Sequence, residues 1–153
     1  MNDRYLFRAK RIDNGEFVIG SLVLSDDADE EYKAIIIPSV NSNMFTRESY
    51  NEDLGFENWY KVDPSTICQC TGLKDKNGKL IWENDVVEIG EHQDNVNGLY
   101  KVIYCENAHC YALKRSVDFH YNFFTFSDLN GFETSSKVIG NIFDNKELLE
   151  SEG

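Results

Sequence analysis

Proline, positive charge and long apolar runs are all scarce in this sequence. Its 153 residues include two prolines, and 15 lysines and arginines stand against 27 aspartates and glutamates, for a net charge of -12. Such a chain repels phosphate backbones and anionic membranes, which disfavours general binding to either. No apolar segment approaches the roughly 20 residues that span a bilayer, and no signal-peptide core follows Met1. We therefore expect a cytoplasmic protein whose four cysteines stay reduced.

Sequence fingerprints of catalysis are lacking as well. The chain has no P-loop, dinucleotide-binding glycine pattern, nucleophile elbow or H-E-x-x-H. Glu83 and Asp85 straddle a predicted turn and could form an acid–base pair or a metal site, but turn closure by Asp85 is the simpler prediction. His109 and Cys110 are neighbours that would face opposite sides of a strand, which disfavours a thiol–base pair. These absences weaken the case for an enzyme but do not exclude one. The sequence predicts no cofactor.

Strand-forming residues are plentiful. The apolar fraction of 41% and the aromatic fraction of 13% are enough for a buried core. Alternating runs from Tyr5 to Leu24 flank Asp13-Asn14-Gly15, which predicts a β-hairpin. Short apolar or alternating segments recur along the chain without a long helical period. The sequence therefore predicts a mostly all-β fold.

Three regions are predicted. Residues 1–65 form an N-terminal β element, a hairpin or small sheet with a long polar excursion over 39–58 that could contain one helical turn. A loop of this length is functional, partly disordered or wrongly assigned. Residues 66–143 form a small SH3-like β-barrel, and 144–153 form a short helix and tail, which Asp144 or Asn145 could cap.

Two tight turns in TGLKDKNGKLIWENDVV (Thr71 to Val87) predict a sharply bent ribbon. Asn77-Gly78 suits a turn with positive φ at both central residues. Asn84 can enter the left-handed region at low cost, and Asp85 can bond neighbouring backbone N–H groups. Corners of this kind help small barrels to close. The predicted turn motif comprises Gly72, Asp75, Asn77, Gly78, Asn84 and Asp85.

Four aromatic residues are candidate binding positions. Trp82, between the two turns, is predicted to be buried at one end of the barrel, with a place in a binding groove as the alternative. Phe45, Tyr50 and Phe56 lie in the polar excursion, where they could anchor on a partner or fold back on the barrel.

The basic residues and the cysteines each allow two interpretations. Arg4, Arg8, Lys10 and Arg11 fall in one predicted strand, with Arg11 on the opposite face from the other three, and could bind nucleic acid or form a solvated face. The four cysteines could hold zinc, but the usual C-x2-C spacing is absent and small buried hydrophobic residues are the simpler prediction. The four are Cys68, Cys70, Cys105 and Cys110.

Four stretches resemble the YopX family of phage and prophage proteins, and together they cover nearly the whole chain. The second and fourth are long motifs that chance would rarely produce. Asn84 stands where the family usually has glycine, Lys146 where it has proline, and Cys68 and Cys70 where it has glycine and an aromatic residue. The stretches are FRAKRIDNGEFVIGSL (Phe7 to Leu22), VDPSTICQCTGLKDKNGKLIWENDVV (Val62 to Val87), KVIYCENAHCYAL (Lys101 to Leu113) and KVIGNIFDNKELL (Lys137 to Leu149).

The resemblance implies an N-terminal β element, an SH3-like barrel and a phage or prophage setting in a bacterial host cell. It carries over no catalytic or ligand residues, because the family is of uncharacterised function. We expect a non-enzymatic phage accessory protein that binds another protein or assembles as a homo-oligomer. The alternative is a nucleic-acid-related role, either direct binding through the basic strand or acidic DNA mimicry as an anti-restriction device.

Overall fold

The computed structural model describes residues 2–26, 29, 32–40, 44–46, 54–91, 96–115, 123–128 and 131–150. Contacts divide the chain into two compact units, Met1–Gln69 and Cys70–Gly153. The described strands are all antiparallel, and the described helices are short, which confirms the mostly all-β class. The sequence-based division between residues 65 and 66 stays a prediction.

The elements are numbered in chain order. The strands are β1 (Phe7–Lys10), β2 (Phe17–Leu24), β3 (Ala34–Pro38), β4 (Met44–Thr46), β5 (Leu54–Phe56), β6 (Tyr60–Lys61), β7 (Cys68–Lys74), β8 (Leu80–Trp82), β9 (Asp85–Ile89), β10 (Gly98–Cys105), β11 (Cys110–Arg115), β12 (Phe123–Thr125) and β13 (Ser136–Asn141). The helices are α1 (Phe132–Ser135) and α2 (Glu147–Glu150), with 3₁₀ turns at Asp3–Tyr5, Pro64–Thr66 and Phe126–Asp128. Within the described ranges, no helix has the length and apolar character needed to cross a membrane.

In the first unit the strand order is β6-β3-β2-β1, and β1 also pairs with Cys68 and Gln69 at the start of β7. The predicted hairpin is confirmed as the β1–β2 pair, and within its turn only Gly15 has a positive φ, of 71°. Apolar alternation sends one face of these strands into a core of four fully buried side chains. That core consists of Ala9, Ala34, Ile36 and Val62.

The end of β1 also meets β6. Val62, directly after β6, forms an isolated bridge with Arg11, and the backbone N–H of Ile12 donates to the carbonyl of Lys61 at 3.0 Å. The turn between β1 and β2 is therefore held against β6 by backbone bonds.

The second unit contains a five-stranded sheet in the order β12-β11-β10-β9-β13. Its buried cluster draws one or two residues from most of these strands, from β8 and from α1. The cluster comprises Ile81, Val87, Ile89, Tyr100, Val102, Leu113, Phe132 and Val138.

The two predicted turns are present, and they differ from the sequence prediction in one respect. Asn84 adopts the left-handed region at φ 66°, and the Asp85 carboxylate accepts the Trp82 backbone N–H at 2.8 Å, so that turn is confirmed. At the other turn Gly78 has φ 78°, whereas Asn77 does not have the positive φ that we predicted. Asp75 organises this turn instead.

The SH3-like barrel is not confirmed, because no sheet among the described residues closes on itself. The five-stranded sheet ends at β12 and β13. β8, which falls within the predicted barrel region 66–143, pairs with β7, while β9 enters the five-stranded sheet. The turn at Asn84 therefore moves the chain from one set of strand pairs to another.

One local prediction is corrected, and a second is tested only in its described residues. Arg4 lies in the 3₁₀ turn Asp3–Tyr5 and not in a basic strand. The excursion over 39–58 shows no helical turn in its described residues, which form the strand pair β4–β5. Apolar residues in those two segments favour a strand pair over a bare loop.

Candidate functional site

A surface cleft of about 340 Å³ lies in the first unit, where the turn after β1 meets β6. Its lining residues are Ile12, Asp13, Trp59, Tyr60 and Lys61. Trp59 is 47% exposed and Ile12 is 51% exposed, so both apolar walls face solvent. Such a cleft offers an apolar side chain from another molecule a place to bury.

Two charged groups beside the cleft are paired with each other, while Lys61, which also lines the cleft, has its ammonium 4.2 Å from the centre of the Tyr32 ring. Arg11 donates to both carboxylate oxygens of Asp13, at 2.9 and 2.6 Å, and its guanidinium lies 3.9 Å from the centre of the Tyr60 ring. The hydrogen bond from Arg11 lowers the pKa of Asp13, and the same bond raises the pKa of Arg11. Because the charges of Arg11 and Asp13 largely neutralise one another, the cleft suits an apolar ligand group better than an ionic one.

Exposed apolar side chains are concentrated in the same unit. Among the described residues nine large hydrophobic side chains are exposed; eight precede residue 70 and one, Tyr104, follows it. The eight are Tyr5, Ile12, Ile19, Val23, Leu24, Tyr32, Val40 and Trp59. The first unit therefore carries most of the exposed large apolar side chains among the described residues, and such side chains are what another protein could cover.

The two tryptophans differ in exposure, and this difference gives a direct test of the cleft. Trp82 is 4% exposed and Trp59 is 47% exposed. We expect acrylamide to quench two populations of tryptophan fluorescence, and Trp59→Phe to remove the readily quenched one. Tyr104→Phe serves as the control and should leave both populations. A readily quenched population that survives in Trp59→Phe would contradict the position of Trp59.

The four aromatic candidates from the sequence are not brought together in the described structure. Trp82 is buried in β8, and Phe56 is half-buried in β5. The structure describes Phe45 only as part of β4, and Tyr50 lies outside the described residues. A role for these four in binding stays a prediction.

The predicted turn motif is a structural centre whose main residue is Asp75. Its carboxylate accepts three backbone N–H groups, each at 2.9 Å, from Asn77, Lys79 and Val138. Burial raises its pKa, but the three hydrogen bonds and the charge of Lys79 outweigh burial, so the pKa of Asp75 is lowered. Gly72, with φ 80°, lies where the β7–β8 register shifts. The motif therefore ties the β7–β8 turn to β13.

The C-terminal motif IGNIFDN is a second structural centre. The side-chain oxygen of Asn141 accepts the N–H groups of Phe143 and Asp144, both at 3.0 Å. Asn145 accepts the N–H of Asn141 at 3.2 Å. A Cβ on Gly140 would lie 2.7 Å from Cγ of Asn145, so any larger residue here would displace the Asn145 side chain that accepts the Asn141 N–H. These residues shape the end of β13 and need no ligand to explain them.

Three of the four basic residues are engaged within the first unit. The guanidinium of Arg8 and the ammonium of Lys10 lie 4.5 and 4.8 Å from the centre of the Phe17 ring. Arg11 points to the other face, as predicted, and pairs with Asp13. This arrangement does not form an open basic surface of the kind that grips a phosphate backbone.

The four cysteines are not joined by disulfide bonds in this structure. Cys68 and Cys70 are completely buried, and their sulfurs donate to the carbonyls of Thr66 and Ile81. In the part of the chain that the structure describes, no three His, Cys, Asp or Glu side chains cluster as metal ligands. Cys105 and Cys110 are register partners in the β10–β11 hairpin.

Sequence reasoning missed the cleft residues Ile12 and Trp59. The sequence predicts a short strand from Trp59 to Val62 and places Ile12 in the alternating run before the first hairpin turn, with no sign that the two residues meet. The adjacent pair Trp59-Tyr60 was a usable signal, because neighbouring aromatics at a strand cannot both face the core. The approach of Ile12 to Trp59 depends on long-range backbone bonds and had no local signal.

The fold defines a class of protein: an antiparallel β protein of two compact units, the first with an exposed aromatic cleft. A family model described as YopX protein matches residues 6–150. The chain therefore belongs to the YopX family.

One similar solved structure is the crystal structure of protein EF1440 from Enterococcus faecalis. It has 23% sequence identity and a TM-score of 0.58, and the match covers 94% of this chain and 96% of that one. A likeness at this identity shows the shared fold alone. No curated protein matches the chain.

Proposed function

We propose that the protein is a non-enzymatic interaction module whose docking face lies within residues 2–69. The uneven distribution of exposed apolar side chains carries this proposal, since eight of the nine in the described structure precede residue 70. Large exposed apolar patches commonly mark interaction sites. An enzyme would instead need titratable groups that converge in a pocket, whereas Arg11 and Asp13 at the cleft pair with each other.

The outer face of the first-unit sheet also supports the proposal, because it exposes aliphatic side chains. Ile19 and Val23 of β2 point away from the core and are 45% and 44% exposed. Val23 lies opposite Ile35 and Ser21 opposite Ile37 in the register with β3, and both isoleucines are only half-buried. This face therefore adds aliphatic surface to that of the Trp59 cleft.

Charge sets the chemistry of the partner. A net charge of -12 steers basic surfaces toward the chain. A second copy carries the same charge, and the repulsion opposes self-association. We infer a basic protein partner that inserts an apolar side chain beside Trp59.

The test uses affinity capture from host cells with the intact chain, Trp59→Ala and the control Tyr104→Ala, followed by titration of the purified captured protein. We expect a basic protein that binds the intact chain and the control equally. Its affinity for Trp59→Ala should fall about thirtyfold, the effect of losing a hot spot of about 2 kcal/mol. Equal binding by Trp59→Ala would overturn the docking site. If light scattering showed dimerisation that increases with protein concentration, the partner at this site would be a second copy of the chain and not a basic protein.

Acidic DNA mimicry is the second candidate function, because it also requires a basic protein as the partner. Mimicry predicts that the affinity for the basic partner falls by orders of magnitude as the salt concentration rises. It also predicts that Trp59→Ala leaves this affinity unchanged. Docking in the cleft predicts an affinity that depends less on salt and that falls in Trp59→Ala. The described contacts of Arg8, Lys10 and Arg11 give direct nucleic-acid binding no support.

We further propose that the five-stranded sheet is a partly open SH3-like barrel in a phage or prophage protein. The irregular register between Val138 and Gly140 and the left-handed turn at Asn84 supply the bends that such curvature needs.

A further inference from the structure

The β10–β11 hairpin brings two cysteines together at its tip. Cys105 and Cys110 are direct partners in the antiparallel register and flank the exposed four-residue turn that ends at His109. Directly opposed residues send their side chains to the same face, with Cα atoms about 4.5 or 5.5 Å apart according to the type of pair. Both separations fall within the roughly 4.4–6.8 Å that disulfides span. The backbone therefore places these thiols where a bond between them needs little movement.

The two thiols differ in accessibility. Cys105 is buried at 9% exposure, while Cys110 is partly exposed and follows the exposed turn. The turn is fixed by His109, which has φ 51° and whose N–H donates to the carbonyl of Glu106. A small reagent from solvent therefore reaches Cys110 first, and Cys105 is reached through Cys110. Cys68 and Cys70, at 0% exposure, are closed to the same reagent.

We propose that Cys105 and Cys110 form a reversible thiol–disulfide pair, oxidised by exchange with a small disulfide such as oxidised glutathione. The Cys110 thiolate attacks one glutathione sulfur, forming a mixed disulfide and releasing one glutathione thiolate. The Cys105 thiolate then attacks the Cys110 sulfur and releases the second glutathione. The protein loses two electrons, glutathione disulfide gains them, and the two protein protons end on two glutathione thiols.

The expected consequence is local. The next cross-strand pair, Tyr104 and Tyr111, packs edge to face with ring centres 5.4 Å apart on the opposite face of the hairpin. A Cys105–Cys110 bond would close the end of the hairpin beside this pair and fix its register. Amide hydrogen exchange at the hairpin tip should therefore slow on oxidation.

The experiment exposes the folded, full-length protein to rising ratios of oxidised to reduced glutathione, followed by acid quenching, alkylation and trypsin digestion. Trypsin leaves both cysteines of the pair in one peptide, Val102–Lys114, and the two buried cysteines in another, Val62–Lys74. We expect the mass of the first peptide to fall by that of two hydrogen atoms, and we expect neither of its cysteines to be alkylated. The second peptide is an internal control and should remain reduced.

Two variants test the order of attack. Cys105→Ser should accumulate a glutathione adduct on Cys110, because the resolving thiol is missing, whereas Cys110→Ser should stay unmodified. The proposal is overturned if peptide Val102–Lys114 is alkylated at both cysteines in every buffer. It is equally overturned if Val62–Lys74 oxidises at the same ratio, or if Cys105→Ser gains no adduct.

Discussion

Gly20→Ala is expected to lower the free energy of unfolding by about 3 kcal/mol, the upper end of what overpacking usually costs. Gly20 of β2 lies opposite Pro38 of β3. An added Cβ would lie 2.7 Å from the carbonyl carbon of Ile37 and 2.9 Å from Cα of Pro38, and closer still to the Ile37 carbonyl oxygen. These are backbone atoms, so the clash is relieved only if β2 and β3 separate. The same requirement explains the glycine of the stretch FVIGSL.

Chemical denaturation of Gly20→Ala measures this effect, with Gly90→Ala as the matched control. A Cβ on Gly90 meets no atom within 4 Å, and its backbone does not have the positive φ that penalises alanine. The control should therefore keep the unfolding midpoint of the parent chain. A Gly20→Ala midpoint equal to that of the control would refute the close approach of β2 and β3.

Asp75→Ala is expected to cost about 4 kcal/mol, because it removes a charged acceptor and leaves three N–H groups without it. Asp75 is 5% exposed and joins the β7–β8 turn to Val138 of β13. Asp13→Asn is the control, since the Asp13 side chain is 64% exposed and its surface ion pair contributes under about 1 kcal/mol. Equal losses in both variants would show that the buried carboxylate is no centre of stability.

Stability should also depend on pH through Asp75. Its folded-state pKa is lowered from the ordinary value of 3.8. The carboxylate therefore contributes its full stabilisation above that value, and the contribution is lost as the pH falls through the lower folded-state pKa. We expect the parent chain to lose stability below about pH 4 more steeply than Asp75→Ala. Parallel profiles would contradict the lowered pKa.

Local chemistry made several elements predictable. Gly15 marked the first hairpin, and Asn84 with Asp85 marked the left-handed turn, because each of these effects acts within a few residues. The same reasoning failed at Asn77. There the Asp75 side chain accepts the N–H groups of Asn77 and Lys79 and imposes a different turn from the one that the Asn-Gly pair favours.

The candidate docking site was beyond sequence reasoning for a physical reason. The cleft exists because the N–H of Ile12 bonds to Lys61, 49 positions along the chain, which places the turn after β1 against Trp59. No local pattern encodes that pairing. The buried role of Trp82 was predictable from its size and its flanking turns, whereas the pair Trp59-Tyr60 indicated only that one of the two rings leaves the core, and not which one.

By itself the sequence determined the mostly all-β class, the acidic charge, the turns at Gly15 and Asn84 and the kinship with the YopX family. These depend on composition, on alternation and on residues that act on their own backbone. Only the tertiary structure decided how the described strands are ordered in their sheets, that β8 pairs with β7 while β9 joins β10, and that Cys105 faces Cys110. Strand pairing of this kind depends on long-range backbone hydrogen bonds, and nothing in a short stretch of residues specifies the distant partner.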